Sequence, residues 1–270
     1  MKLRLLPLAI LALILVQITD AKAQLADPLA PVQTRSPILI GPVVGFNRSM
    51  HSVDLASFVD DPLCPYFQSG SANGFYAGLS FEYLLGDPAR SKSSIILKVL
   101  YSTMPANLQV TGDEYPSRVL DAQGNDQIIY SSTEHTVDVA YDMLTFEPLY
   151  KLNLFESNFG IVVGPTIDLT MTSTRTQKMS LIEPLEAQFI EKPGYTYEDD
   201  FRTIVVADGD IPESSGLRLG VKAGVQYEIL FQGFYVVPHV FYNFGVTQLS
   251  SAEDWRVNAI QMGVDVRFAL

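Results

Sequence analysis

Cysteine is nearly absent: the 270-residue chain holds one, Cys64. A disulfide-rich secreted scaffold is excluded, because one thiol has no partner in its own chain. Charged residues are scarce at 18%, against 47% hydrophobic, whereas a disordered chain needs the reverse. Bases are outnumbered 18 to 30, for a net charge of −12. That excess of acids argues against the basic stripe of a nucleic-acid binder, so no nucleic-acid partner is expected. Beyond the N-terminus no apolar run is long enough for a spanning helix. Mean hydropathy is nevertheless positive, at +0.17. That value is odd for an acidic soluble protein and ordinary for a membrane protein.

Part of the hydropathy lies in residues 1–23. Lys2 and Arg4 precede an apolar run from Leu5 to Ile18, and Ala21-Lys22-Ala23 follows with small residues where a signal peptidase reads. This is the three-part secretory signal, too short for a membrane span, with cleavage expected near Ala23. A retained N-terminal anchor is the alternative. No cysteine follows closely enough for a lipoprotein anchor. Cleavage removes three bases and one acid, which moves the net charge from −12 to −14. Residues 24–36, rich in proline and small side chains, read as a periplasmic leader, and 37–270 as one domain.

That domain alternates with period two, as only strands do. In 74–85, Phe75, Ala77, Leu79, Phe81, Tyr83 and Leu85 share one face, and Tyr76, Gly78, Ser80 and Glu82 the other. Segments 160–172, 217–229 and 260–270 alternate as cleanly. Segments 38–47, 94–104, 135–150 and 234–246 do so less regularly, and 135–150 changes phase near Leu144, as a bulge would cause. These make eight strands. Long connections at 48–73, 105–134 and 173–215 alternate with short ones near 86–93, 152–159 and 230–233. Such sorting belongs to an outer-membrane barrel, with short periplasmic turns and long extracellular loops. The expected fold is therefore all-β, an antiparallel transmembrane β-barrel of eight strands. Ten is the alternative, if pieces such as 201–206 join the wall. A soluble sandwich competes, because periodicity does not tell inside from outside. The recurrence of acids, bases and glycines on one face favours a crowded lumen.

The strand ending FEYLL, the Gly164-Pro165 turn into a strand, and the terminal VDVRFAL resemble the PorT-like outer-membrane β-barrel family of Gram-negative bacteria, frequent in the Bacteroidetes–Chlorobi group. The likeness implies an outer-membrane location and architecture more than an activity. It also implies that the C-terminal strand is read by the barrel assembly machinery, although here Ala269 and Leu270 follow the aromatic Phe268.

Eight strands enclose a space that side chains fill. The expected lumen network comprises Glu82, Lys98, Asp138, Asp168, Arg218, Lys222, Glu228, His239, Asp265 and Arg267, paired and plugging the barrel. Asp142 falls on the same face of its segment. The expected role is structural or recognition, without cofactor or metal. The acidic stretches 197–200 and 208–210 lack an EF-hand spacing and read as solvated loop. A small-solute porin and a lipid-interface hydrolase are the alternatives, the latter resting on His239 with a carboxylate in reach. His51, with Ser52 and Asp54 nearby, does not form a triad, since adjacent strand residues point oppositely. His135 is expected to open a strand at a loop edge. Expected partners are outer-membrane lipid, the assembly machinery, and a protein at loops 48–73, 105–134 and 173–215, where recognition on a rigid scaffold sits. Cys64 in the first loop is a candidate intermolecular disulfide or lipid-modified thiol.

Overall fold

The computed structural model describes residues 37–56, 66–86, 91–120, 126–154, 157–185, 188–189, 191 and 193–270. The signal, the leader and Cys64 lie outside the described residues. Twelve strands run in chain order: β1 (Ile38–Ala56), β2 (Tyr66–Leu84), β3 (Ser93–Thr103), β4 (Ala106–Leu120), β5 (Asp126–Asn153), β6 (Phe159–Glu183), β7 (Thr196–Glu198), β8 (Thr203–Asp210), β9 (Leu217–Tyr227), β10 (Ile229–Phe231), β11 (Phe234–Gly245) and β12 (Arg256–Ala269). No helix among the described residues is long and apolar enough to cross a membrane.

Eight of the strands close a ring. The order is β1, β2, β3, β5, β6, β9, β11, β12 and back to β1, with every pairing antiparallel. The closing seam runs from Leu39↔Ala269 to Ser52↔Arg256. β7 and β8 pair above the wall, beside the upper part of β6, so the ten-strand alternative does not hold.

Each wall strand alternates between an outward and an inward face. On β2, Phe75, Leu79, Phe81 and Tyr83 are exposed, Leu79 by 60%, while Ser80 and Glu82 are wholly buried. On β9, Leu217, Leu219, Val221, Val225 and Tyr227 point out, and Arg218, Lys222 and Gln226 point in. Large apolar side chains outside and charges inside are the inverse of a soluble sandwich. This is a transmembrane β-barrel wall, whose outward belt faces hydrocarbon. The belt's upper edge is marked by outward polar residues: Arg48 on β1, Asn73 on β2 and Asp142 on β5.

The three long loops are mostly strand. β4 continues β3 past Met104 and Pro105 in one register against β5, as Thr103↔Asp142 and Ala106↔Val139 show. Pro105 lacks an N–H, which interrupts the ladder without ending it. The first hairpin stays paired up to Ala56↔Tyr66, and upper β6 pairs with β8 from Thr174↔Asp210 to Ser180↔Thr203. The wall thus rises beyond the membrane as paired sheet.

β5 corrects a second expectation. Its burial alternates without a break from Ser131 to Lys151. The irregularity lies on β6, where Met171 is the extra residue between Asp142↔Thr172 and Met143↔Thr170. What changes along β5 is polarity. Above Asp142 the inward residues include Val137, Val139 and Tyr141, and the outward ones Glu134 and Asp138. Below it Thr145, Glu147 and Lys151 point in, and Leu144, Phe146 and Tyr150 point out. The strand has crossed from water into hydrocarbon.

A charge in mid-belt should therefore be costly. Leu79→Arg is expected to lower unfolding free energy in bilayers by about 2–4 kcal/mol. Thr136→Arg, outward on β5 above the belt, should stay within about 0.5 kcal/mol. Equal effects in denaturant titrations would refute the belt.

Candidate functional site: the barrel lumen

The buried charges among the described residues number five acids and five bases: Glu82, Glu147, Asp168, Glu228 and Asp265 against Lys98, Lys151, Arg218, Lys222 and Arg267. The balance means that the interior needs no counterion. Starting from the end with short turns, Lys151 on β5 bridges Glu228 and Glu82, the latter at 2.5 Å. Arg267 on β12 pairs with Glu82 on β2 and with Asp265, its Nε donating at 3.1 Å to the latter. Lys98 on β3 reaches Asp265 at 3.0 Å. Higher up, Lys222 on β9 pairs with Glu147 on β5, and Arg218 pairs with Asp168. Arg218 also donates to Asn243 at 3.2 Å and to the Val257 carbonyl at 2.7 Å. Most of these pairs join strands that are not neighbours in the sheet, so they act as struts through the lumen. Phe241 sits between two of the cations, with Lys98 Nζ 5.3 Å and Lys222 Nζ 5.6 Å from its ring centre.

Nine of the ten expected lumen residues point inward and are buried: Glu82, Lys98, Asp168, Arg218, Lys222, Glu228, His239, Asp265 and Arg267. Asp138 does not. It stands exposed on the outer face of β5 above the belt and accepts a hydrogen bond from Asn107 at 2.7 Å. Asp142, assigned to the same inner face, also points out. Both assignments assumed that the apolar residues of 135–143 face lipid, whereas they face the core of the part in water. The same assumption hid Glu147 and Lys151. Their signal was the polar residues at 145, 147 and 151, in phase with Tyr141 and Met143.

His239 has a carboxylate within reach. Tyr76 Oη donates to His239 Nε2 at 2.7 Å, and His239 Nδ1 lies 3.4 Å from Asp265 Oδ1. The chain Tyr76–His239–Asp265 has the order of a proton relay. Its outer end, however, is walled in. A Cβ added at Gly45 or at Gly263 would lie 2.3 Å from Tyr76 Oη, so backbone already closes over the hydroxyl. These two glycines are required by that close approach. A reacting group would need a position about 3 Å from the hydroxyl, which is buried between the backbone of the paired Gly45 and Gly263 and the His239 ring.

His51 and His135 point inward as well. His51 contacts Trp255 and the Met104 carbonyl. Its neighbours Ser52 and Asp54 point out. His135 does not open its strand: β5 begins at Asp126, and His135 is buried beside Thr133, 3.3 Å from its hydroxyl. Three acidic residues of the outer hairpins have side-chain partners. Glu198 pairs with Lys178 at 2.6 Å, Asp199 accepts from Thr203, and Asp208 accepts from Thr176. Among the described residues no three His, Cys, Asp or Glu side chains converge as a metal site.

Above the ion pairs the interior turns apolar. Val53, Phe67, Met104, Leu108, Val139, Tyr141, Leu249 and Trp255 belong to one buried cluster, contributed by β1, β2, β4, β5 and the 246–255 connection.

No protein-family model matches the chain, and no curated protein matches it. Solved structures do. Neisserial surface protein A is 14% identical at a TM-score of 0.34, with 87% of this chain and 98% of that one covered. Outer membrane protein OprG from Pseudomonas aeruginosa is 14% identical at 0.31, with the same coverages. Outer membrane protease OmpT from Escherichia coli is 8% identical at 0.29, covering 86% and 96%. The fold described above rests on this chain's own strand pairing.

Arg218 gives a test of the buried pairs, because Asp168 opposes it directly on the neighbouring strand β6 and pairs with no other cation among the described residues. Arg218→Met should cost about 3–5 kcal/mol by stranding a buried carboxylate. Arg218→Met with Asp168→Leu should recover most of that loss. Denaturant titration of the refolded barrel would read both, and a double variant no better than the single would contradict the pairing.

Proposed function

We propose that this chain is an outer-membrane barrel protein with a structural or recognition role, and that its interior serves as a sealed support. One observation carries the reading: five acids and five bases, all buried, cross-brace the lumen at the level of the belt. A permanent water-filled path would solvate such charges, whereas here they solvate one another. The apolar tier above them adds a second closure of different chemistry. The walled-in Tyr76 hydroxyl weighs against the hydrolase alternative, and the struts weigh against the porin alternative.

In this reading the apolar belt contacts outer-membrane lipid, and the tall hairpins of β1–β2, β4–β5 and β6–β8 offer the surface for an extracellular partner. The C-terminal strand β12 supplies the seam and the segment that the assembly machinery would read. Membership of the PorT-like group belongs to the same proposal, supported by the FEYLL strand and the terminal VDVRFAL. So does export with cleavage near Ala23, for which amino-terminal sequencing of the membrane-bound protein is the check.

Conductance tests the sealed interior. Purified protein in planar bilayers should give no large, steady channels. In cells it should fractionate with the outer membrane and migrate differently on gels before and after boiling. Steady large conductance would replace this reading with the porin, and a soluble, unshifted band would end it.

A further inference from the structure

The connection between β11 and β12, residues 246–255, folds inward across the mouth at the hairpin end. Its Leu249 and Trp255 side chains are wholly buried in the apolar tier. On one side it holds the segment before β9. Ser215 N donates to the Leu249 carbonyl at 2.7 Å, and Ser250 Oγ donates to the Pro212 carbonyl at 2.7 Å. On that same side the Glu253 carboxylate accepts two hydrogen bonds from Arg175 Nη1 on β6, at 2.6 and 2.7 Å, and on the other side its carbonyl accepts from Asp54 N of β1. Few of these contacts belong to a continuous ladder. Two residues of the closure, Glu213 and Asp254, have φ of 48° and 42°, conformations that side chains other than glycine adopt at a cost.

The innermost contact depends on protonation. Trp255 Nε1 donates to His51 Nδ1 at 2.9 Å, and His51 Nε2 lies 3.0 Å from the Met104 carbonyl. Only the neutral ring with its proton on Nε2 satisfies both. A second proton would sit on Nδ1 and face the indole N–H, donor against donor. We propose that residues 246–255 form a proton-sensitive lid over the mouth, latched by Trp255 on His51 and by Glu253 on Arg175, and released when His51 is protonated.

The surroundings of His51 agree with this. The residue lies three positions beyond Arg48, above the belt. Burial holds its pKa well below the ordinary 6.5, at about 4. Arg218, reaching from β9 and neutralised by Asp168 of β6, opposes a second positive charge. β4's side contributes only the Met104 carbonyl, the lid the indole, and β2 and β12 the opposing Gly70 and Val257. On β1 itself, Arg48 and Asp54 point outward. The lid's other charges are Glu253, held by Arg175, and Asp254, 3.7 Å from Arg256. The sign follows from linkage. An opened lid returns His51 to water and its ordinary value. The closed-to-open ratio is therefore constant above pH 6.5, falls about tenfold per unit down to about pH 4, and is flat below. Acid opens the lid.

Trp255 is the chain's one tryptophan, so its emission reports the lid directly. Full-length protein refolded in detergent should show blue-shifted emission, poorly quenched by acrylamide, at pH 7.5. On acidification toward pH 4 it should shift red and become quenchable, reversibly, while unboiled gel mobility and strand content by circular dichroism stay native. Glu253→Gln should move the midpoint to higher pH. His51→Gln, which keeps an acceptor and a donor but does not titrate in this range, should remove the response. Quenchable emission at pH 7.5, shielded emission down to pH 3.5 with an intact barrel, or a shift that coincides with loss of the barrel would each overturn the proposal. The wild-type titration decides even where a variant does not refold.

Discussion

The seam between β1 and β12 is the constraint on which the remainder depends. In hydrocarbon an unpaired backbone donor or acceptor costs several kcal/mol, so a sheet that crosses a membrane must close on itself. The first and last strands do this along most of their length, from Leu39↔Ala269 upward. Closure at eight strands fixes a circumference too small for a water-filled bore. The inward side chains must then satisfy one another. Glu82, Asp265 and Arg267 lie beside that seam and brace it through ion pairs rather than apolar contact.

The two levels of the barrel are held by different forces because they stand in different solvents. Above Asp142 the outer face meets water, and burying Val139, Tyr141, Phe67 and Trp255 inside gains the usual hydrophobic free energy. Below it the outer face meets lipid, and moving an apolar side chain from lipid to lumen gains little. There the lumen can hold charge, provided that each charge has a partner. Strand β5 carries both regimes in one unbroken alternation, with Tyr141 and Glu147 pointing the same way.

This change of regime explains what was legible in the sequence. Segments 74–85, 217–229 and 260–270 show clean alternation because they lie within the belt, where one face must be apolar throughout. Six of the nine lumen residues lie in those segments, and Lys98, Asp168 and His239 follow from the alternation of 94–104, 160–172 and 234–246. The heights of the hairpins do not. In upper β6, TSTRTQKMS is polar on both faces, and paired sheet in water demands no apolar stripe on its outer side. Asp138 was misplaced, and Glu147 and Lys151 missed, for one reason. A reversal of polarity along a straight strand and a bulge within it leave the same trace in sequence. Burial separates them, because it follows geometry and not polarity.

Two closures in series also behave differently under perturbation. In the lower level each charge depends on a few named partners, so removing one strands another, and compensation must come from the same pair. In the upper level many apolar contacts share the load, and trimming one side chain costs in proportion to the cavity it leaves. The lid belongs to the upper level through Leu249 and Trp255 and is held down by polar contacts, including His51 and Arg175. Displacing the lid would open the apolar tier to water and leave Arg218–Asp168 and Lys222–Glu147 in place beneath it. The mouth can therefore rearrange while the membrane level stays braced. That separation is what a recognition surface mounted on a sealed barrel requires.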